Sequence, residues 1–112
     1  MKVLIVDDNG EKIRSICSII RENYNESEVK IDSVLTINEA KKKLKDKEML
    51  YDLMILDLNL PLNFDSTPDL ETTLNFARDI NNQDNIYNLP RVSVGLTAYE
   101  ELEVVAKQQF QR

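Results

Sequence analysis

Four short strand-like runs punctuate this chain, separated by three stretches whose apolar residues recur every three or four positions. Val3-Leu4-Ile5-Val6 is the first run and stops at Asp7-Asp8. So uniform a run suits a strand buried on both faces, as strands of parallel sheets are. Ile13, Ile16, Cys17, Ile20 and Tyr24 then follow a helical stripe,. A second strand is predicted over Val29–Leu35, with Val29, Ile31 and Ser33 alternating against Lys30 and Asp32,. Thr36-Ile37-Asn38-Glu39 has capping-box form and opens a helix to about Lys47, with Ala40 and Leu44 inward,.

The third strand is predicted over Tyr51–Asp57, apolar until it ends at an acid, and Pro61 makes the following segment a loop,. Ser66-Thr67-Pro68-Asp69 supplies a cap and a proline at the first helical position,. The helix it starts runs to about Asn81 with Leu70, Leu74, Ala77 and Ile80 as its stripe. Arg91–Leu96 is the fourth strand. Thr97-Ala98-Tyr99-Glu100 has capping-box form again and opens a last helix with Leu102, Val105 and Ala106 inward,. The order βαβαβαβα predicts a doubly wound parallel sheet with helices on both faces.

With 112 residues the chain suffices for one domain, and 42% hydrophobic with 30% charged residues is the balance of a globular protein rather than a disordered one,. No apolar run is long enough to span a membrane, and the N-terminus is not a signal peptide, so a cytoplasmic location is expected. The net charge of −6 argues against direct nucleic-acid binding,. The lysines at 41, 42, 43, 45 and 47 are interleaved with Glu39, Asp46 and Glu48 and read as the solvated face of a helix,. A single cysteine excludes an internal disulfide, and Cys17 reads as a small core residue,.

The absence of histidine removes imidazole acid–base chemistry and imidazole metal sites, so any metal must favour oxygen ligands,. Two glycines cannot build a glycine-rich phosphate cradle,.

Functional groups of open α/β sheets gather at the carboxyl ends of the strands. There the first strand ends at Asp7-Asp8, the third at Asp57 and the fourth at Thr97. If these strands are neighbours, three carboxylates and a hydroxyl converge. Crowded carboxylates raise each other's pKa unless a cation neutralises them, and Mg²⁺ suits such a site. A carboxylate beside the metal can attack a phosphoryl group in line to give an aspartyl phosphate, with Thr97 placed to bond one of its oxygens. The simpler alternatives are that Asp7 or Asp8 caps the first helix and that Thr97 caps the last. Tyr99 reads equally as a partner-facing aromatic or as helix surface.

Asp7-Asp8 after an apolar first strand, Leu53-Met54-Ile55-Leu56-Asp57-Leu58-Asn59-Leu60-Pro61, and Leu96-Thr97-Ala98 together resemble the motifs of response-regulator receiver domains of two-component signalling. The resemblance implies a flavodoxin-like sheet of order 2-1-3-4. It implies Asp57 as phosphoacceptor, Asp8 as a Mg²⁺ ligand, Asp7 meeting the metal mainly through water, and the Asn59 backbone carbonyl as a further ligand. Thr97 matches the switch hydroxyl, assisted by the Ala98 amide. The donor would be a phosphohistidine on a histidine kinase or phosphotransfer protein, and the outcome a signalling switch rather than an enzyme with turnover.

Receivers of this kind add a fifth strand, with a phosphate-binding lysine, and a fifth helix. Residues 1–112 are therefore expected to form a C-terminally incomplete receiver, with an effector domain in a longer parent protein or a homodimer through the open sheet edge. Lys107 lies on the wrong element to replace that lysine. The segment Leu62 to Asp69 is also longer than in typical receivers. Two rivals stand beside this reading: a pseudo-receiver that binds partners without using phosphate, and an aspartyl-nucleophile phosphohydrolase. The second is disfavoured because its relatives carry Asp-x-Asp rather than adjacent acids.

Overall fold

In the computed structural model, residues 1–25, 27–82 and 86–96 are described, and they form β1 (Lys2–Val6), α1 (Gly10–Asn23), β2 (Lys30–Val34), α2 (Ile37–Lys45), β3 (Leu53–Asp57), α3 (Leu70–Asn82) and β4 (Val92–Leu96). The expected last helix, with Thr97, Ala98, Tyr99 and Lys107, lies outside the described residues. All strand pairs are parallel, and the sheet order is β2-β1-β3-β4, as expected.

Alternation along the strands sends successive side chains to opposite faces. Leu4, Val6, Met54 and Leu56 face α2 and α3, where they pack with Ile37, Ala40, Leu44, Phe76 and Ile80. Val3 and Ile5 face α1. Its stripe of Ile13, Ile16, Cys17 and Ile20 packs on them and on Val29, yet none of α1 is fully buried. Each fully buried aliphatic or aromatic side chain contributes about 1.5–3 kcal/mol relative to exposure, so the α2–α3 face holds most of the stabilising burial.

Several boundaries differ from those expected, each for a local reason. Tyr24 is not part of the α1 stripe: it is the C-cap, has extended backbone and is half-exposed. β2 is an edge strand and one residue shorter at each end; Ser33 stays in water although it lies level with Ile5. α2 stops at Lys45 because Asp46 turns out of the helix. Half of its capping box forms, with Thr36 Oγ1 accepting from the Glu39 N–H at 3.2 Å, while the Glu39 carboxylate accepts from the Leu35 N–H, one residue before the cap. The lysines near its end complement the carboxyl end of the helix dipole, as a solvated face would,.

The start of α3 is displaced further. Neither Ser66 nor Thr67 caps it, and Pro68 precedes the helix instead of opening it. An antiparallel bridge between Leu60 and Asp69 keeps the chain extended through Asp69, whose carboxylate then accepts from the Glu71 N–H at 3.1 Å. α3 buries Leu74, Ala77 and Ile80 as expected, adds Thr73 and Phe76, and leaves Leu70 half-buried.

Thr73 is a buried polar residue with a definite task. Its hydroxyl donates to the Asp69 carbonyl and accepts from the Leu60 N–H, at 3.2 and 3.1 Å. Replacing Thr73 with Val keeps the shape but strands the buried Leu60 donor, at a cost of about 1–3 kcal/mol. Urea denaturation should show that loss for Thr73→Val. Thr73→Ser, which keeps the hydroxyl, should lose only about 1 kcal/mol for the missing methyl group.

Candidate functional site

β1 and β3 pair with Val6 opposite Leu56, so the next residues, Asp7 and Asp57, leave the sheet side by side. Asp7 is almost wholly buried. Its N–H continues the ladder to the Val34 carbonyl, and its Oδ1 accepts from the Asn9 N–H at 2.9 Å. Asn9 is the N-cap of α1, its side chain accepting from the Glu11 and Lys12 amides. The capping alternative for Asp7 and Asp8 therefore fails. Asn9 has that job, and Asp8 stands exposed at the mouth of the crevice.

Asp57 ends β3 opposite Leu96, and its Oδ1 accepts from the Asn59 N–H at 3.2 Å. One carboxylate oxygen from each of Asp7, Asp8 and Asp57 lies within 4.8 Å of the others. The acids singled out from sequence thus do converge. The Asp57 carboxyl is pushed up from 3.8 to about 6, first by burial and then by the Asp7 charge; the Asn59 N–H and Lys12 oppose the shift.

The loop after Asp57 is held on three sides. Leu58 N–H donates to the Leu96 carbonyl, Leu60 N–H to Thr73, and the Pro61 and Leu62 carbonyls accept from the Ile37 and Asn38 N–H groups that open α2. Leu58 and Leu60 are fully buried while Asn59 between them is exposed. Its place in the loop is thus fixed from both sides.

Lys12 was not foreseen as a site residue. Its Nζ lies 3.3 Å from Asp7 Oδ2 and 3.8 Å from Asp57 Oδ1. The signal was available: with Asn9 as cap, Lys12 falls in the first turn of α1, where a cation opposes the helix dipole and needs an anion to offset it. Thr73 escaped notice because its hydroxyl sits among apolar neighbours at ordinary helical spacing.

The donor set is all oxygen, which fits a hard cation. Mg²⁺ takes ligands at about 2.1 Å, so trans ligands stand about 4.2 Å apart, and the carboxylate cluster needs little closing to reach that span. Burial first, and then the Asp7 charge, raise the Asp57 carboxyl, and a cation bound beside it would oppose both,.

Against known structures, the chain is similar to the beryllofluoride-activated NtrC4 receiver domain dimer, with a TM-score of 0.63, 24% identity, and 96% of this chain and 76% of that one covered. It is similar to a chain of the complex between the Saccharomyces cerevisiae histidine phosphotransfer signaling protein Ypd1 and the receiver domain of its downstream response regulator Ssk1 (TM-score 0.62, 22% identity, 97% and 70% covered). A third similar structure is the MaeR response regulator bound to beryllium trifluoride (TM-score 0.60, 22% identity, 100% and 79% covered). The fold is that of a response-regulator receiver domain, a flavodoxin-like parallel sheet of order 2-1-3-4. By sequence, the chain is 30% identical over 111 residues to the uncharacterized protein y4jS of Sinorhizobium fredii, covering 98% of this chain and 26% of that protein. The chain thus spans about a quarter of its curated relative's length. No protein-family model matches it.

The raised Asp57 pKa links stability to pH. Between about 4 and 6 the folded state holds a proton that the unfolded chain has released, so stability falls as pH rises through that window,. Without divalent cations, Asp57→Asn should therefore be more stable than wild type at pH 7, by on the order of 1–2 kcal/mol once solvent screening is allowed for. The gap should close toward pH 4, as read by urea denaturation across pH.

Proposed function

We propose that this chain is a phosphoryl-accepting signalling receiver in which Asp57 forms an aspartyl phosphate. The observation that carries the reading is the convergence of Asp7, Asp8 and Asp57 at the carboxyl ends of β1 and β3 in a receiver fold. Asp8, Asp57 and the Asn59 carbonyl would hold Mg²⁺ directly, and Asp7 through water. When bound, the ion would neutralise the carboxylates and the incoming phosphoryl oxygens.

Asp57 attacks with the oxygen that Asn59 does not engage. A P–O bond forms as the P–N bond of a phosphohistidine on the partner breaks, and the imidazole leaves. The chain's lack of histidine is consistent with a donor on another protein. Thr97 and the Ala98 amide, the match to the family's switch groups, would hydrogen-bond the phosphoryl oxygens on Asp57 and shift the population toward the signalling conformation. Water then resets the switch without multiple turnover on added phosphoesters. The complex of Ypd1 with the Ssk1 receiver, and the beryllofluoride forms of the NtrC4 and MaeR proteins, support a phosphotransfer protein or histidine kinase as partner. A cytoplasmic setting accords with this. Among the described residues no helix is long and apolar enough to cross a membrane. β4 exposes Val92 and Val94 and has no strand on its outer side among those residues, which supports a second copy as a further partner,.

One observation favours a second reading, a pseudo-receiver that binds partners without phosphate: Lys12 already offsets part of the cluster's charge.

Incubation with Mg²⁺ and a small phosphoramidate donor separates the two. Wild type should gain one phosphoryl group by intact-mass measurement, and both chelation and Asp57→Asn should abolish the gain. Asp7→Asn, altering a group that meets the metal through water, should weaken Mg²⁺ binding roughly 10–100-fold. An unmodified wild type, beside a control receiver that is labelled, would establish the pseudo-receiver instead.

A further inference from the structure

The place of Lys12 in the crevice points to a second role for α1. We propose that Lys12 is a tethered counter-ion that lies against Asp7 and Asp57 in the resting protein, beside the place a divalent ion would take on Asp8 and Asp57, and thereby sets the affinity for that ion. The inference deepens the metal-site reading above and rests on it.

Asp7 carries the argument. Its Oδ1 is committed to the Asn9 N–H, so Oδ2 is the oxygen left for a cation, and Lys12 Nζ lies 3.3 Å from it. The same ammonium is 3.8 Å from Asp57 Oδ1, on the acceptor itself. It therefore lies against two of the three acids that converge on the crevice. An ammonium and a divalent ion that both lean on Asp57, with Asp7 beside them, repel each other strongly where burial weakens the screening water provides,.

The backbone fixes where the ammonium is tethered. The Lys12 N–H bonds the Asn9 side chain, which holds the first turn of α1 against the strand ends. The lysine side chain is 36% exposed, so its flexible stem has room to swing out when a divalent ion arrives,. Lysine here is an internal competitor: it quiets the repulsion between Asp7 and Asp57 while the ion is absent and must be displaced for the ion to enter.

The test is Mg²⁺ titration of the whole chain by calorimetry, on wild type, Lys12→Met and Lys12→Arg. Lys12→Met keeps most of the apolar stem and removes the charge. It should bind Mg²⁺ roughly three- to tenfold more tightly than wild type, the scale of a partly exposed ion pair. Lys12→Arg should stay near wild type, because it restores the charge. Without Mg²⁺, Lys12→Met should melt below wild type at pH 7.5, and saturating Mg²⁺ should close that gap.

Equal Mg²⁺ affinity in wild type and Lys12→Met would overturn the counter-ion role while leaving the metal site intact. Binding by Lys12→Met but not by wild type would support the counter-ion role and overturn a Mg²⁺-dependent switch in the natural chain. If neither protein bound, both readings would fall. Tighter binding by Lys12→Arg than by wild type would also overturn the inference.

Discussion

Carboxylates gathered at one partly buried sheet edge are the feature on which the rest of this molecule turns. Parallel pairing sets β1 and β3 in a register where Val6 faces Leu56, and both strands run straight into acids. Neither acid can be withdrawn without breaking the ladder, because Asp7 N–H is bonded to Val34 and Leu58 N–H to Leu96 on either side of the crevice. The hydrophobic burial of Val3–Val6, Met54 and Leu56 therefore sustains a charge arrangement that is unfavourable by itself,. Partly buried carboxylates set this close gain most from a ligand of opposite charge,.

Around that crevice the polar network serves placement more than bulk stability. Asn9 relieves the acids of capping duty, Asn59 bonds Asp57, and Thr73 fastens the loop to α3. Each bond is modest alone, but the set leaves Asp57 at the end of a rigid strand and Asn59 on a loop pinned at Leu58 and Leu60. Preorganisation of this sort fixes where the Asp57 carboxylate and the Asn59 carbonyl can meet a ligand.

The sheet was legible because apolar runs ending in acids have few other readings. Strand order and the meeting of Asp7, Asp8 and Asp57 followed from that pattern with the motif resemblance. What was hidden depends on contacts distant in sequence. The start of α3 could not be read because Pro68 at a first helical position is locally plausible, and only the bridge to Leu60 moves the start to Leu70. Ser33 fits an alternating strand until β2 is known to be an edge. Lys12 gains its meaning only once Asp7 and Asp57 are placed beside it.

The segment between Leu60 and Asp69 is clasped at its base. Its ends meet in the antiparallel bridge, and its first residues are tied to α2 by the Pro61 and Leu62 carbonyls. Between those clasps Phe64 projects into solvent, 71% exposed. Length and composition at the tip are thereby mechanically insulated from the Asp57 carboxylate. Substitutions at the tip therefore change what this arm touches without moving the carboxylates at its root.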